Sequence, residues 1–135
     1  MELNGETLRF IREHRKDDVR SLALQAPKYP DVDMPVALTQ IAGRQAAAEK
    51  IPSWHEEEGV LYPRHLSLEQ CSSEATARYK ASIIPESSSG TLTDLTGGFG
   101  IDCAFLSPKF HHVTYVERQE VLCEIASHNF PLLGL

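Results

Sequence analysis

Leu92-Thr93-Asp94-Leu95-Thr96-Gly97-Gly98-Phe99-Gly100-Ile101-Asp102 decides the fold of this chain. It reads as a short strand, a glycine turn and the opening of a helix. A second strand pattern, Val113-Thr114-Tyr115-Val116-Glu117, follows and ends on a carboxylate. Strand, glycine loop, helix and acid-ended strand make the front half of a nucleoside-cofactor site. Parallel strands joined through a helix cross over right-handed, which puts both strand C-termini and the loops after them on one rim.

Outward from this unit the pattern continues as helix. Downstream, helices are predicted over about 101–107 and 119–129, the last ended by Pro131. Upstream, the first 84 residues read as mostly helical. Asn4 caps a helix to about Arg15 with Leu8 and Ile11 on one face, and Asp17 or Asp18 caps a second carrying Val19, Leu22, Ala23 and Ala26. The run Pro27-Lys28-Tyr29-Pro30-Asp31 stops it. Asp33 caps a third helix, with Pro35 in its first turn and Val36, Leu38, Ile41, Ala42, Ala46 and Ala47 on its buried side, ending near Lys50. Residues 51–65 are irregular by pattern, and Trp54 and Tyr62 are expected to pin them to the helices. Ser72 or Ser73 opens a helix from Glu74 to Ile84, Pro85 closes it, and Ser87-Ser88-Ser89-Gly90 leads into a strand at 91–96.

The 135 residues are enough for one ordinary domain, with 41% hydrophobic and 24% charged residues. No apolar run approaches the roughly 20 residues of a membrane helix. Cys71, Cys103 and Cys123 are odd in number and lack metal-ligand spacing, so they read as reduced thiols of a cytoplasmic protein, with no metal site. The net charge of −6 is spread along the chain: nine basic against twelve acidic groups in residues 1–70, four against seven in 71–135. That field as a whole argues for no nucleic-acid partner. The one basic cluster, Arg9, Arg12, Arg15, Lys16 and Arg20, has acids interspersed and reads as a solvated helix face.

Gly97, Gly98 and Gly100 let the backbone turn sharply and approach a ligand without Cβ atoms in the way. Glu117, seventeen residues beyond Gly100, stands where a carboxylate can accept both hydroxyls of a ribose. Two ligand classes fit this skeleton. For a nicotinamide dinucleotide the fingerprint GxGxxG or GxGxxA would place Cys103 at its third small residue, and Asp94 and Asp102 would repel a pyrophosphate. A ligand with an ammonium, a sulfonium and a carboxylate but no phosphate suits these acids better, and S-adenosylmethionine is such a ligand. Asp102 also suits the first turn of a helix simply as a charge on its dipole. His111 and His112 fall at the opposite rim and read as turn residues.

Asp94-Leu95-Thr96-Gly97-Gly98-Phe99-Gly100 resembles motif I of the class I S-adenosylmethionine-dependent methyltransferases, and Val116-Glu117 resembles the acidic end of their second strand. The preceding segment, Leu66 to Tyr79 with its Ser72-Ser73-Glu74-Ala75-Thr76-Ala77 core, is similar to the helix start before motif I in the trimethylguanosine-synthase-like branch. It looks closer still to bacterial methyltransferases with a C-terminal THUMP-like domain. The resemblance covers residues 66–135 well and 1–65 more loosely. It implies an RNA substrate and S-adenosylmethionine as cofactor. It assigns Asp94, Thr96, Gly97, Gly98 and Gly100 to the cofactor loop, the methionine end in particular, and Glu117 to the ribose. Gln70, Ser72 and Ser73 become lid-side contacts, and Arg118 either lies beside the adenine or is solvated.

The family's adenine-binding strand and its Asn- or Asp-Pro-Pro-aromatic loop have no counterpart here: none of the eight prolines is adjacent to another. No catalytic residue is therefore assigned. The fold expected is a helical N-terminal domain (1–65), a lid helix and linker (66–90), and an incomplete Rossmann-like βαβα (91–135) with the first two parallel strands of a methyltransferase sheet. Such a chain reads as the N-terminal part of a longer enzyme and as inactive by itself, with weak or no cofactor binding. The first strand's outer edge is expected to pair with another copy or to lie under the N-terminal helices. Two other readings stay open: a helical interaction or RNA-docking module, and a truncated dinucleotide-binding oxidoreductase.

Overall fold

Four side-chain caps set the helical half of the molecule. In the computed structural model, which describes residues 2–86 and 90–135, Asn4 accepts from Thr7 N at 2.7 Å to open α1 (Gly5–Glu13). Asp18 opens α2 (Val19–Leu24), Asp33 opens α3 (Met34–Lys50) by accepting from Val36 N, and Ser73 opens α6 (Glu74–Ser82) by accepting from Thr76 N. Each cap satisfies an amide that the helix itself cannot. The serines at 87–89 lie outside the described residues.

The buried faces differ in places from the periodicity. Thr7 and Phe10, rather than Leu8, face inward from α1. Thr7 is buried because its hydroxyl accepts from Asp33 N at 3.0 Å, serving the entrance of α3. On α3 the fully buried positions are Met34, Ala37, Gln40, Ile41, Gly43 and Ala47, whereas Ala46 is exposed. Gly43 is inside because Tyr62 packs on it: a Cβ there would sit 2.4 Å from Tyr62 Cβ.

Residues 51–65 are more ordered than their pattern suggests. Pro52 starts a short helix α4 (Pro52–Glu56), and after Gly59 (φ 88°) the chain runs to Pro63 without helix or strand. Two side-chain amides stand in for strand neighbours along this run. Gln40 donates to Tyr62 O (2.9 Å) and accepts from Tyr62 N (2.8 Å); Asn129 donates to Leu61 O (2.8 Å) and accepts from Leu61 N (2.9 Å). Trp54 and Tyr62 are buried, as expected. A further helix that the pattern does not signal, α5 (His65–Gln70), has its last carbonyls bound by Lys50, whose ammonium donates to Leu68 O and Glu69 O.

β1 (Thr91–Asp94) and β2 (His112–Tyr115) pair in parallel, with Leu92 opposite Val113 and Asp94 opposite Tyr115. β1 stops short of the expected residue 96 because Thr96 N turns onto Asp94 Oδ1 at 3.0 Å. Between the strands lie α7 (Ile101–Leu106) and a 3-10 turn; α8 (Glu120–Leu132) follows β2. Pro131 does not end α8. It lies inside its last turn, and the closure comes from Leu133 N on Asn129 O and from left-handed Gly134 (φ 80°).

One core runs from Ala47, Ile51 and Trp54 through Val60, Tyr62, Leu68 and Ala77 to Phe99, Ile101, Ala104 and Ile125. A smaller one, Phe10, Leu22, Met34, Ala37 and Ile41, holds α1 and α2 on α3. The N-terminal helices thus pack chiefly on α3 rather than along β1, so of the two outcomes expected for its edge, pairing with another copy or helix cover, the second is not the one seen. Among the described residues β1 has β2 as its sole strand partner; Thr91 and Thr93 are exposed and Leu95 is 74% exposed. No helix among the described residues is long and apolar enough to cross a membrane.

Candidate functional site

A cleft of about 440 Å³ opens at the C-terminal rim of the two strands. The glycine loop forms its floor. Gly97 N donates to Val116 O (2.8 Å) and Gly100 N to Gly97 O (2.9 Å), so the loop is stitched to the end of β2 before α7 begins. Gly98 (φ 55°) and Gly100 (φ 92°) take left-handed conformations that disfavour a Cβ. Phe99, between them, is 1% exposed and packs edge-on to Trp54 at 5.1 Å, which anchors the loop in the main core.

Tyr115 shapes the loop from the side. Its hydroxyl donates to Gly98 O at 2.5 Å, its ring meets Phe130 edge-on at 5.6 Å, and it fills the space a Gly97 Cβ would need, 2.3 Å from Tyr115 Cε2. Phe130 in turn occupies the space beside Gly100. Burial pushes the Tyr115 phenol well above its ordinary value, with the nearby thiol of Cys123 and carboxylate of Glu117 adding to it.

Two acids project into the cleft from the strand ends. Glu117 accepts from Gly98 N (3.2 Å) through Oε1 and from Gln119 N (2.6 Å) through Oε2. Each carboxylate oxygen keeps a second lone pair for a hydroxyl. Asp94 accepts from Thr96 N and, through Oδ2, from the Cys103 thiol at 3.7 Å. Burial first, and then the Asp94 charge, push that thiol up to about 12, so it is a neutral donor and not a nucleophile.

The opposite wall comes from the lid segment. Ser72 Oγ donates to Asp102 Oδ2 (3.2 Å), and Lys80 Nζ donates to both Ser72 Oγ and Asp102 Oδ2 at 3.0 Å. The other Asp102 oxygen is buried with no hydrogen-bond partner. Asp102 is therefore more than a first-turn charge on α7: it ties α7 to α6.

Asp94, Thr96, Gly97, Gly98, Gly100 and Glu117 thus border one cleft together with Gln70 and Ser72. Ser73 does not border it; its hydroxyl is committed to Thr76 as the α6 cap. Neither Arg118 nor His111 and His112 line it. Lys80, Gln119 and Tyr115 contribute without having been singled out from sequence. Lys80 meets Ser72 from eight residues further along, a contact that the sequence pattern did not signal. Tyr115 offered no signal either, because its partners are distant in the chain.

A separate cavity of about 420 Å³ lies between α1, α3 and α8, walled by residues such as Leu8, Ile11 and Leu132. Arg15 and Arg44 share Glu58 there, Arg12 also lines it, and no part of the glycine loop reaches it. Among the described residues no three His, Cys, Asp or Glu side chains are arranged to hold a metal.

No family model matches the chain, and no curated protein matches it. In three dimensions it is similar to the crystal structure of a "putative methyltransferase from Porphyromonas gingivalis W83", with a TM-score of 0.74 and 32% sequence identity. The match covers 93% of this chain and 31% of the Porphyromonas chain, so this chain spans about a third of the length of the protein it matches. The fold is accordingly that of a methyltransferase in part: a helical domain followed by a partial Rossmann-like unit.

Proposed function

We propose that this chain is the N-terminal, cofactor-binding part of an S-adenosylmethionine-dependent methyltransferase acting on RNA in the cytoplasm. The charge of the cleft carries the reading. Among the described residues Asp94, Asp102 and Glu117 line it with Lys80 as the one cationic side chain. A pyrophosphate would meet a net negative wall, whereas a sulfonium and an ammonium are attracted to it. When bound, S-adenosylmethionine supplies an electrophilic methyl group on a positively charged sulfur.

The residues present fit that ligand. Glu117, preset by the Gly98 and Gln119 amides, accepts the two ribose hydroxyls. Asp94 and the Thr96–Gly100 loop hold the methionine end against the rim, and Gln70 and Ser72 close over it from the lid side. These groups bind and orient; none is placed to activate a nucleophile. Adenine recognition, nucleophile positioning and RNA contact fall to the remainder of a longer parent, in keeping with the 31% coverage of the Porphyromonas protein.

Calorimetry with S-adenosylhomocysteine tests this. The intact parent is expected to bind it, and Glu117→Ala to weaken binding by about tenfold or more, the usual consequence of losing hydrogen bonds to a charged acceptor. The 135-residue chain alone is expected to bind weakly and to transfer no methyl group. Binding of NADH in place of S-adenosylhomocysteine by the parent would overturn the proposal.

A further inference from the structure

We infer that Lys80 is the carboxylate-binding residue of the cleft, taking the α-carboxylate of the methyl donor's amino-acid tail; this rests on the S-adenosylmethionine reading above. That tail carries a carboxylate as well as an ammonium, and none of the cleft's three acids can serve the carboxylate. Among the described residues lining the cleft Lys80 is the sole cation. Its ammonium has three N–H donors. Two are spent, on Ser72 Oγ and Asp102 Oδ2 at 3.0 Å each, which leaves one.

The surroundings hold that ammonium in place. Ser72 accepts from Lys80 while donating to Asp102, closing a three-membered ring of hydrogen bonds between α6 and α7. The Lys80 and Asp102 side chains are 44% and 33% exposed, and an ion pair so open to water adds little to stability. Its consequence is positional: a cation on the lid wall of the cleft that Asp94 also lines. Asp94, on the loop side of the cleft, remains as an acceptor for the tail's ammonium. A zwitterion meets the complementary charges on two walls.

Three ligands separate this assignment from the reading it rests on: S-adenosylhomocysteine, its decarboxylated analogue and 5′-methylthioadenosine, each titrated calorimetrically into the intact parent. Wild type is expected to prefer S-adenosylhomocysteine to the decarboxylated analogue by about tenfold or more, the scale of a charge-assisted hydrogen bond. Lys80→Met should shrink that preference to about twofold or less and leave methylthioadenosine affinity unchanged, and Lys80→Arg should restore most of it. Glu117→Ala should weaken all three alike. The assignment is overturned if Lys80→Met keeps the preference or weakens all three equally. It is equally overturned if wild type shows no preference, a comparison that needs no variant to fold. Should wild type bind none of the three, the S-adenosylmethionine reading itself has failed and the assignment falls with it.

Discussion

At the scale of single residues, the loop's three glycines do different work. Gly97 is a packing glycine: the Tyr115 ring, fixed by its hydroxyl on Gly98 O and by Phe130, leaves no room for a methyl group. Gly97→Ala is expected to destabilise the fold by roughly 1–3 kcal/mol, the usual range for overpacking, as read by urea denaturation. Gly98 is a conformational glycine, since a Cβ there would meet nothing closer than Thr96 O at 3.7 Å. Gly98→Ala should therefore cost only the left-handed backbone penalty, about 1–2 kcal/mol. A larger loss at Gly98 than at Gly97 would contradict this division. The sequence already marked the loop, because glycine spacing is local information. It could not say which glycine answers to which constraint, since Tyr115 and Phe130 arrive from other parts of the chain.

Among the elements, the most consequential is not regular structure at all. The irregular run from Val60 to Pro63 is held by Gln40 of α3 and Asn129 of α8, whose amides satisfy its backbone at Tyr62 and Leu61. Asn129→Leu would leave the Leu61 N–H and C=O without their partners. The expected cost is about 2–4 kcal/mol, and the Leu61 amide should lose much of its protection from hydrogen exchange. The helix caps were legible because a cap and its amide lie two or three residues apart. These bridges were not, since their partners stand 22 and 68 residues away. Glu74 behaves similarly. Burial alone would raise its carboxyl, but donation from Ser53 N and Oγ and from Arg78 outweighs it and holds the group below the ordinary 4.5. A depressed folded value means that its contribution is fully present above about pH 4.5 and is lost as pH falls through the folded value. Between about pH 7 and pH 3, Glu74→Gln should accordingly lose less stability than wild type in parallel urea titrations. An unchanged acid sensitivity would show that Glu74 is not a main acid-labile group.

For the molecule as a whole, the acid-rich cleft and the open sheet edge belong to one rim architecture. Among the described residues β1 has an unpaired edge beside exposed Leu95, so the 135-residue chain is expected to self-associate with rising concentration in sedimentation velocity. A monomer throughout the micromolar to millimolar range would argue that this edge does not template pairing. The helical domain followed by a parallel strand–helix–strand unit was readable from the alternation of patterns. The coverage of β1 was not, since its outer neighbour depends on tertiary placement that periodicity does not encode. The central claim is that the rim cleft takes a methyl donor rather than a dinucleotide, and calorimetry of the proposed longer parent tests it most directly. The account predicts S-adenosylhomocysteine binding that falls about tenfold or more in Glu117→Ala, with no binding of NADH. NADH binding, or S-adenosylhomocysteine binding indifferent to Glu117, would contradict it.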